Sequence, residues 1–387
     1  MKTFVTLFEK TDNIHLIKDV GQIPYLMYKY FDYKSKIVTY KNKQSYDYLE
    51  DEVKGLKLEF IPKVKIGRYS LSILWYLFFN AKKIDVLHMF HHREKTYLNF
   101  LMYKWRNPDG IAFLKSDTGL NAIKEHCGFI PGKRPKYAAR NWLFEKALEK
   151  LDVISVESIE GCRIVSNKYK EHRSKFLHMP NGIDIDRMYS LIPLKSYQEK
   201  ENIILTVGRI GAPEKNNEFL LNAVENIDLK DYKVIFVGSI ETKFISKIDA
   251  FYKKNPNLKD RVIFTDAIYD RKELYKLYAK SKIFCLTSIE ESFGFVLIEA
   301  MAYENYILTT PISSANEITN NEIAGTIISS QKELENKLSN LILNEQELFE
   351  KSNHAIKRVK EHYSWKSILE ILNKRFRDIE NSKLNLI

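Results

Sequence analysis

Short runs of β-branched and aromatic residues alternate along the chain with longer segments of helical periodicity. In the first half they are TFVTLF, KIVTY, LKLEFIP, DVLHMF, GIAFLKSD and DVISVES, and in the second half NIILTVGRI, YKVIFVGS, RVIFTDAI, KIFCLTS, NYILTTP and AGTIIS. Alternation of this kind predicts βαβ units and parallel sheets. The expected fold class is therefore α/β.

A chain of 387 residues is too long for one ordinary core, which predicts two domains. The segment FLHMPNGIDIDRMYSLIPLKSYQEKEN has the composition of turns and linkers, and a new strand follows it directly. We place the boundary within 182–200, with a first domain over 1–185 and a second over 200–364. Open parallel sheets bind ligands beyond the carboxyl ends of their strands, so two such domains predict a central cleft with one ligand on each.

The composition argues against a membrane-spanning or disulfide-linked protein. No stretch reaches the roughly 18 apolar residues that a membrane helix needs, and charge returns early, at Glu9 and Lys10, where a secretory signal would be apolar. Cys127, Cys162 and Cys285 lie far apart, without the spacing of a zinc site or a disulfide framework. We expect a cytoplasmic protein.

Positive charge is concentrated in the first half of the chain. Residues 1–190 contain 33 Lys and Arg against 22 Asp and Glu, whereas the remainder contains 28 of each. Such an excess favours an anionic partner: a membrane face, a phosphorylated acceptor or a nucleic acid. The alternative is that the lysines only keep the protein in solution. No recognised nucleic-acid-binding module is present, so we expect no nucleic-acid partner.

The segment ILTVGRIGAPEKNNEFLLNAV predicts a strand, a glycine turn and a helix. Gly208 ends the strand, Arg209 follows it, and Lys215 lies just before the helix. An Arg fork and a Lys point charge are the usual pair for holding phosphate oxygens. The alternative is two surface cations. The spacing of Gly208 and Gly211 differs from the dinucleotide-binding fingerprint, which excludes a nicotinamide-dependent oxidoreductase.

A second set of candidate residues lies in EESFGFVLIEA. A loop carrying Glu291 precedes a helix that we expect to begin near Gly294, where a glycine lets a ligand approach and the N–H groups of Phe295 and Val296 favour an anion. Glu299 lies in an apolar run and must be paired or hydrogen-bonded. Phosphate at the helix start and ribose hydroxyls at Glu299 would make a nucleotide-diphosphate site. The alternatives are a protein partner for Glu299, such as a nearby Lys, and an exposed loop position for Glu291.

These segments together resemble the retaining glycosyltransferases of family 4. EESFGFVLIEAMA is similar to that family's pair of glutamates separated by seven residues, and VGRIGAPEKN to its diphosphate clamp. PNGIDID resembles its interdomain segment, and EHYSWKSILEILNKRF its closing helix. The resemblance implies the GT-B fold, in which two Rossmann-like domains face a central cleft and a closing helix, here within 365–387, returns to the first domain.

The resemblance also implies roles for individual residues. Arg209 and Lys215 would contact the donor diphosphate, Glu299 the nucleotide ribose, and Glu291 the donor sugar. The remaining donor-binding positions would be Gly208, Phe293, Gly294, Phe295 and Val296, with Gly21 in the first domain.

The implied reaction is retaining transfer from a nucleotide-diphosphate sugar, with UDP the expected nucleotide, to a glycan or lipid-linked acceptor in surface polysaccharide biosynthesis. No cofactor or metal is expected, because the cations and helix N–H groups would neutralise the leaving group.

The first domain departs from the family pattern. The loop after its first strand keeps one glycine, Gly21, beside the candidate acceptor contacts Lys18 and Asp19. In GIAFLKSDTG the expected catalytic Asp117 is retained, but Ser116 stands where the family has a histidine that often touches the donor sugar. The identity of the sugar therefore stays open.

Two further patterns suggest metal binding. His88, His91 and His92 follow a first-domain strand and are candidates for facing the cleft, but no carboxylate or cysteine accompanies them at ligand spacing. Asp184 and Asp186 form the Asp-x-Asp triplet with which another glycosyltransferase fold holds a metal. Because this triplet follows an Asn-Gly turn at the domain join, we interpret it as part of the linker.

Two segments are candidates for contact with a membrane. IGRYSLSILWYLFFNAKK, residues 66–83, is apolar with basic flanks, and we favour a core helix there over one that docks on lipid. PGKRPKYAARNW is the better candidate, because Lys133, Arg134, Lys136 and Arg140 would form a polybasic patch. We therefore expect peripheral attachment of the first domain to the anionic inner membrane face.

Two alternatives to transfer remain. One is a GT-B subunit that binds a nucleotide-sugar or a membrane without efficient transfer, which the substitution at Ser116 favours. The other is a nucleotide-sugar epimerase, against which the pair Glu291 and Glu299 argues.

Overall fold

The computed structural model describes residues 1–129, 137–291 and 293–384, and the chain divides into two units. The first unit contains residues 1–181 and the helix Trp365–Leu384, and the second contains residues 182–364.

The strands are, in chain order, β1 Thr3–Leu7, β2 Lys34–Thr39, β3 Lys57–Phe60, β4 Lys65–Ile66, β5 Tyr69–Ser70, β6 Val86–Phe90, β7 Ile111–Ser116, β8 Val153–Val156, β9 Phe176–His178, β10 Glu201–Val207, β11 Lys233–Val237, β12 Val262–Thr265, β13 Ser281–Leu286, β14 Tyr306–Thr309 and β15 Thr326–Ile327. The α-helices are α1 Asn13–Leu16, α2 Asp19–Phe31, α3 Tyr48–Asp51, α4 Leu71–Asn80, α5 Glu94–Arg106, α6 Leu120–His126, α7 Ala138–Lys150, α8 Ile159–Lys168, α9 Ile185–Leu191, α10 Asn217–Glu225, α11 Thr242–Lys254, α12 Arg271–Lys280, α13 Phe295–Ala302, α14 Ala315–Ile318, α15 Gln331–Leu343, α16 Glu345–His362 and α17 Trp365–Leu384.

Each unit is built on one parallel sheet of the doubly wound type. The strand order is β3-β2-β1-β6-β7-β8-β9 in the first unit and β12-β11-β10-β13-β14-β15 in the second. In both sheets the order reverses once, between β1 and β6 and between β10 and β13. A reversal of this kind opens a crevice at the carboxyl ends of the two strands. The predicted α/β class is confirmed, and each of the predicted runs contains a strand.

The central strands explain why the sequence forms parallel sheets. Every residue of β6, β7 and β13 is buried, so these strands are mostly apolar and do not alternate between core and solvent. Strands of that kind require helices on both faces of the sheet. The connections supply them, since each sheet strand is followed by at least one helical segment.

Helix α17 completes the core of the first unit. Trp365, Leu369 and Phe376 are buried in one cluster with β1, β7 and helix α2. The ring of Phe376 lies 5.8 Å from that of Phe113, centroid to centroid. The last helix of the chain therefore covers one face of the first sheet.

The interpretation of residues 66–83 as a core helix is wrong in part. The segment begins in the hairpin of β4 and β5, and only α4 is helical. Ile73 and Leu77 are buried, but Trp75 and Phe79 on the outer face are 68% and 67% exposed. In the described ranges, no helix combines the length and the hydropathy that crossing a bilayer requires.

Candidate functional site

The crevice of the second unit lies where the loops after β10 and β13 meet. Thr287, after β13, donates its hydroxyl to the backbone oxygens of Lys215 and Asn216 at 3.2 and 3.0 Å. The N–H of Ile289 donates to the oxygen of Glu214 at 2.8 Å. These bonds hold together the two loops that the sequence identified separately.

Lys215 and Glu291 form an ion pair at this crevice. The Nζ atom of Lys215 lies 2.5 Å from Oε1 of Glu291, and the hydroxyl of Ser288 donates to the same oxygen at 2.7 Å. The two charged side chains are only 20% and 14% exposed. The structure thus brings together a cation predicted to hold phosphate and a carboxylate predicted to hold sugar, and the two form an ion pair.

Arg209 is placed differently. Its guanidinium pairs with Glu214 from the same loop, and its side chain is 60% exposed. Its backbone follows Gly208, whose N–H donates to the oxygen of Val237 at 2.9 Å. Gly238 comes directly after β11, and a Cβ atom there would lie 1.7 Å from the oxygen of Gly208. Gly238 is thus a requirement of this loop that sequence reasoning missed, although its place after a strand was a signal.

Gly294 begins α13 with a positive φ of 89°. An L-residue rarely adopts that conformation, and a Cβ atom would also lie 3.3 Å from Leu297. The backbone turn therefore accounts for the glycine. As the N-cap residue it offers no side chain to the N–H groups of Phe295 and Val296, while the preceding carbonyl of Phe293 accepts from Ser314 at 2.6 Å.

Glu299 is enclosed by protein groups. The hydroxyl of Tyr278 donates to Oε2 at 3.2 Å, and Nη1 of Arg271 lies 3.7 Å from Oε1. Glu299 therefore has protein partners, as the alternative predicted, but they are Tyr278 and Arg271 of helix α12 and not a lysine. Burial raises the pKa of the Glu299 carboxyl above its ordinary value, and Arg271 only partly opposes this.

Glu299→Gln is expected to stabilise the ligand-free protein at neutral pH. A raised carboxyl pKa means that ionisation costs folding free energy, and the cost appears as pH rises through the ordinary value of 4.5 and persists above the raised pKa. Glutamine avoids that cost and keeps an acceptor for Tyr278. Thermal melts across pH should show an advantage for the variant that disappears under acid conditions.

Glu273→Gln provides the control, because Glu273 lies on the same helix as Arg271 and its side chain is 52% exposed. It should change the melting temperature little at any pH. A Glu299→Gln variant that is less stable than the parent at neutral pH would contradict the role given to burial.

In the first unit, His91 and Asp117 meet at the crevice edge. His91 follows β6 with a φ of 67°, and its Nδ1 lies 2.5 Å from Oδ2 of Asp117, which follows β7. Burial alone would raise the pKa of Asp117, but the hydrogen bond with His91 holds it below its usual range. Although Ser116 replaces the expected histidine, Asp117 thus has a histidine partner from the neighbouring strand.

The other two histidines belong to the core. His88 stacks on Phe113 at 4.6 Å and His92 on Phe129 at 3.9 Å, and burial lowers both pKa values, that of His92 to about 3. The prediction that they face a cleft is wrong, because neutral imidazoles here fill aromatic packing positions. Within the described part of the chain, no group of three or more His, Cys, Asp or Glu residues is arranged to hold a metal.

Lys115 was missed by sequence reasoning. This lysine of β7 is fully buried, and its Nζ lies 2.7 Å from Oε1 of Glu157, 3.3 Å from Oδ2 of Asp19 and 3.0 Å from Oδ1 of Asn181. Burial would lower its pKa, but the two carboxylates outweigh burial and raise it. Asp19, predicted to contact an acceptor, is therefore engaged by Lys115. A lysine inside the apolar strand IAFLKS was the available signal.

Other predicted positions have structural explanations. Gly21 is in helix α2 and not in a loop, and a Cβ atom there would lie 2.3 Å from the oxygen of Leu16. Asp184 caps α9 by accepting from the N–H of Arg187 at 3.1 Å. Nη2 of Arg140 donates to the oxygen of Phe129 at 3.3 Å, so its side chain is partly engaged within the unit. The predicted membrane contacts Lys133, Arg134 and Lys136 lie outside the described residues.

Comparison with known proteins shows which families the second unit is similar to. Residues 194–362 match the family model described as glycosyl transferases group 1. The capsular polysaccharide biosynthesis glycosyltransferase CapM of Staphylococcus aureus is 29% identical over 58% of this chain and 61% of its own length. A probable sucrose-phosphate synthase of Thermosipho melanesiensis is 30% identical over 51% of this chain and 46% of its own length. The chain thus spans about half the length of these curated relatives.

A solved structure matches over both units. The crystal structure of Anabaena Alr3699/HepE in complex with UDP has a TM-score of 0.70 and 14% sequence identity, and the match covers 98% of this chain and all of that chain. Identity that low establishes the fold alone, which is the GT-B fold. The match to the family model lies within the second unit, and the likeness that extends over both units is one of fold.

Proposed function

We propose that the protein transfers a sugar, with retention and without a metal, from a UDP-sugar to a glycan or lipid-linked acceptor in surface polysaccharide biosynthesis. The observation that supports this most is the pair of Lys215 and Glu291 at the second crevice, beside the start of α13. CapM, a relative, is named for capsular polysaccharide biosynthesis, and the HepE crystal structure contains UDP.

The donor would bind to the second unit. Lys215 would exchange Glu291 for a diphosphate oxygen, which releases the carboxylate to accept hydrogen bonds from the donor sugar. The exposed guanidinium of Arg209 would leave Glu214 for the second phosphate. Glu299 would accept from the ribose hydroxyls, and the N–H groups of Phe295 and Val296 would donate to phosphate, with Gly208, Phe293 and Gly294 contributing backbone.

The reaction would proceed by attack on the same face of the sugar, with the leaving phosphate accepting the proton of the acceptor hydroxyl. The bond from the sugar to the diphosphate breaks, the bond to the acceptor oxygen forms, and negative charge develops on the diphosphate. Lys215 and Arg209 would stabilise that charge, and prearranged charges of this kind contribute most of such a rate enhancement. This neutralisation requires no divalent ion.

The acceptor would bind to the first unit, where the crevice between β1 and β6 carries His91 beside Asp117. A cavity there is also lined by Glu9 and Lys95, which form an ion pair at 2.8 Å. Charged hydrogen-bonding groups around a strand-end cavity suit a polar acceptor such as a glycan. We also propose peripheral contact of this unit with the anionic inner membrane face, in keeping with its excess of Lys and Arg.

Protection against thermal unfolding by a panel of nucleotide-sugars tests the proposal. A ligand at a hundred times its Kd stabilises the folded protein by about 2.7 kcal/mol, which corresponds to a shift of several degrees. UDP-sugars are expected to give the shift, and Glu299→Gln should weaken binding about tenfold through the loss of a charged acceptor. If no nucleotide-sugar of any base raises the melting temperature, the proposed donor site is wrong.

The second candidate is a subunit that binds donor without efficient transfer. Ser116, buried in place of the family's histidine, is the observation that favours it. Hydrolysis of a bound UDP-sugar by the isolated protein separates the candidates, because a binding subunit should release no free sugar, whereas a transferase hydrolyses its donor slowly.

A further inference from the structure

The first unit carries an exposed aromatic face, formed by Trp75, Phe78 and Phe79 of α4 and Trp105 of α5. These side chains are 68%, 37%, 67% and 65% exposed. They touch one another: the ring of Phe78 lies 5.1 Å from that of Phe79 and 6.0 Å from that of Trp105. Single exposed apolar residues are ordinary, but a contiguous group of large aromatic ones marks an interaction surface.

Helix α4 is apolar on both sides. Its inner side packs into the core through Ile73 and Leu77, while Leu71 and Leu74 lie with Trp75 and Phe78 around a shallow apolar depression on the outer side. The spacing of these four outer residues is that of one helix face. The helix therefore lies flat on the unit and presents an apolar surface outward.

The surroundings of the aromatic face are basic. Residues 60–84 contain no Asp or Glu, and Lys63, Lys82 and Lys83 in this segment are exposed. The guanidinium of Arg106 lies 4.5 Å from the ring centre of Phe78 and 5.6 Å from that of Trp105. This basic rim favours an anionic partner, in agreement with the excess charge of the first half of the chain.

We infer that the aromatic face and its basic rim dock the chain on an anionic lipid bilayer. Trp and Phe rings settle at the boundary between headgroups and acyl chains, while Lys and Arg beside them bind the anionic headgroups. Symmetric pairing of two copies through this face would place the cations of one rim against those of the other, which argues for lipid over self-association.

Helices α4 and α5, and not the polybasic segment around Arg140, thus provide the surface for the membrane contact that the proposed function includes. It shares no residue with the donor site at Lys215. Loss of lipid binding and loss of nucleotide binding are therefore separate results.

Co-sedimentation of the full chain with vesicles tests the inference, using phosphatidylcholine with about 30% phosphatidylglycerol against phosphatidylcholine alone. The protein should bind the anionic vesicles, with a blue shift of tryptophan emission as Trp75 and Trp105 leave water. Trp75→Ser with Phe79→Ser should weaken binding at least about tenfold, since binding scales with the apolar area inserted. Lys82→Glu with Lys83→Glu should do the same.

The matched control is Tyr269→Ser with Leu343→Ser, two second-unit positions that are 87% and 74% exposed. It should bind vesicles like the parent. Because all the replaced side chains are exposed, the melting temperatures of the variants should agree with that of the parent. Differences in vesicle binding can then be attributed to the replaced side chains and not to unfolding.

Three results would overturn the inference. The first is equal binding to neutral and anionic vesicles, and the second is unchanged binding by the variant at Trp75 and Phe79. The third is a concentration-dependent dimer in sedimentation velocity that the same variant abolishes, which would assign the aromatic face to a second copy of the chain.

Discussion

Lys215→Ala is expected to lower kcat/KM for the nucleotide-sugar by about 10² to 10³-fold, the usual effect of removing one prearranged group that stabilises developing charge. This lysine lies at the crevice edge, where it pairs with Glu291 and its side chain is only 20% exposed. Alanine removes the charge that the leaving diphosphate would meet. Initial rates of donor hydrolysis or of transfer provide the measurement.

Lys230→Ala is the control for this variant. Lys230 pairs with Asp228 on the surface of the same unit, and it precedes β11, so it lies at the amino ends of the strands, opposite the crevice. Its replacement should leave both rate and melting temperature unchanged. If the Lys215→Ala variant is folded and its turnover is near normal, Lys215 does not stabilise the leaving diphosphate.

Lys115→Met is expected to destabilise the first unit by about 3–5 kcal/mol, because it leaves two partly buried carboxylates without their counter-ion. Glu157 and Asp19 both point at the Nζ atom, and their side chains are 18% and 19% exposed. Urea unfolding followed by tryptophan fluorescence reports on this unit directly. All the tryptophans of the chain, Trp75, Trp105, Trp142 and Trp365, belong to it.

Lys124→Met is the matched change, since Lys124 pairs with Glu160 where both side chains are more than 40% exposed. It should cost at most about 1 kcal/mol. Lys115→Met with Glu157→Gln should recover part of the loss, because one orphaned charge is removed. If Lys115→Met unfolds at the same urea concentration as the parent, the buried network does not stabilise the unit.

The pKa of Lys115 also predicts the pH range of this stabilisation. Its folded-state value is raised by the carboxylates, so the contribution is fully present below the unfolded lysine value of about 10.4 and is lost as pH rises through the folded value. The parent should therefore keep this contribution at neutral pH, and the difference between parent and variant should shrink only in strong alkali.

The sequence predicts the features that depend on residues close together along the chain, such as strands and the loops that follow them. A strand that is buried on both faces is rich in apolar residues, so the strands of both sheets could be predicted. The loops after β10 and β13 followed from their place at strand ends. The pairing of Lys215 with Glu291 was not visible, since it depends on which strands become neighbours across 76 residues of chain.

The missed groups are those whose partners come from distant segments. Arg271 and Tyr278 contact Glu299 from another helix. Lys115 forms ion pairs with Asp19 of α2 and with Glu157, which follows β8. Gly294 shows a second limit: an open approach for a ligand and a left-handed turn predict the same residue, and only the observed φ separates them.

Because α17 returns to the first unit, the order in which the two units can complete their folding is determined by the order of synthesis. The chain leaves this unit at Asn181 and re-enters it at Trp365, so a ribosome completes the whole second unit before the residues that finish the first core exist. Phe376 contacts Phe4 and Phe113 in the folded protein. Until α17 is synthesised, these two side chains therefore lack that contact. Domains that are continuous in sequence fold as they emerge. The second unit, although it is encoded later, is therefore the first whose fold can be completed.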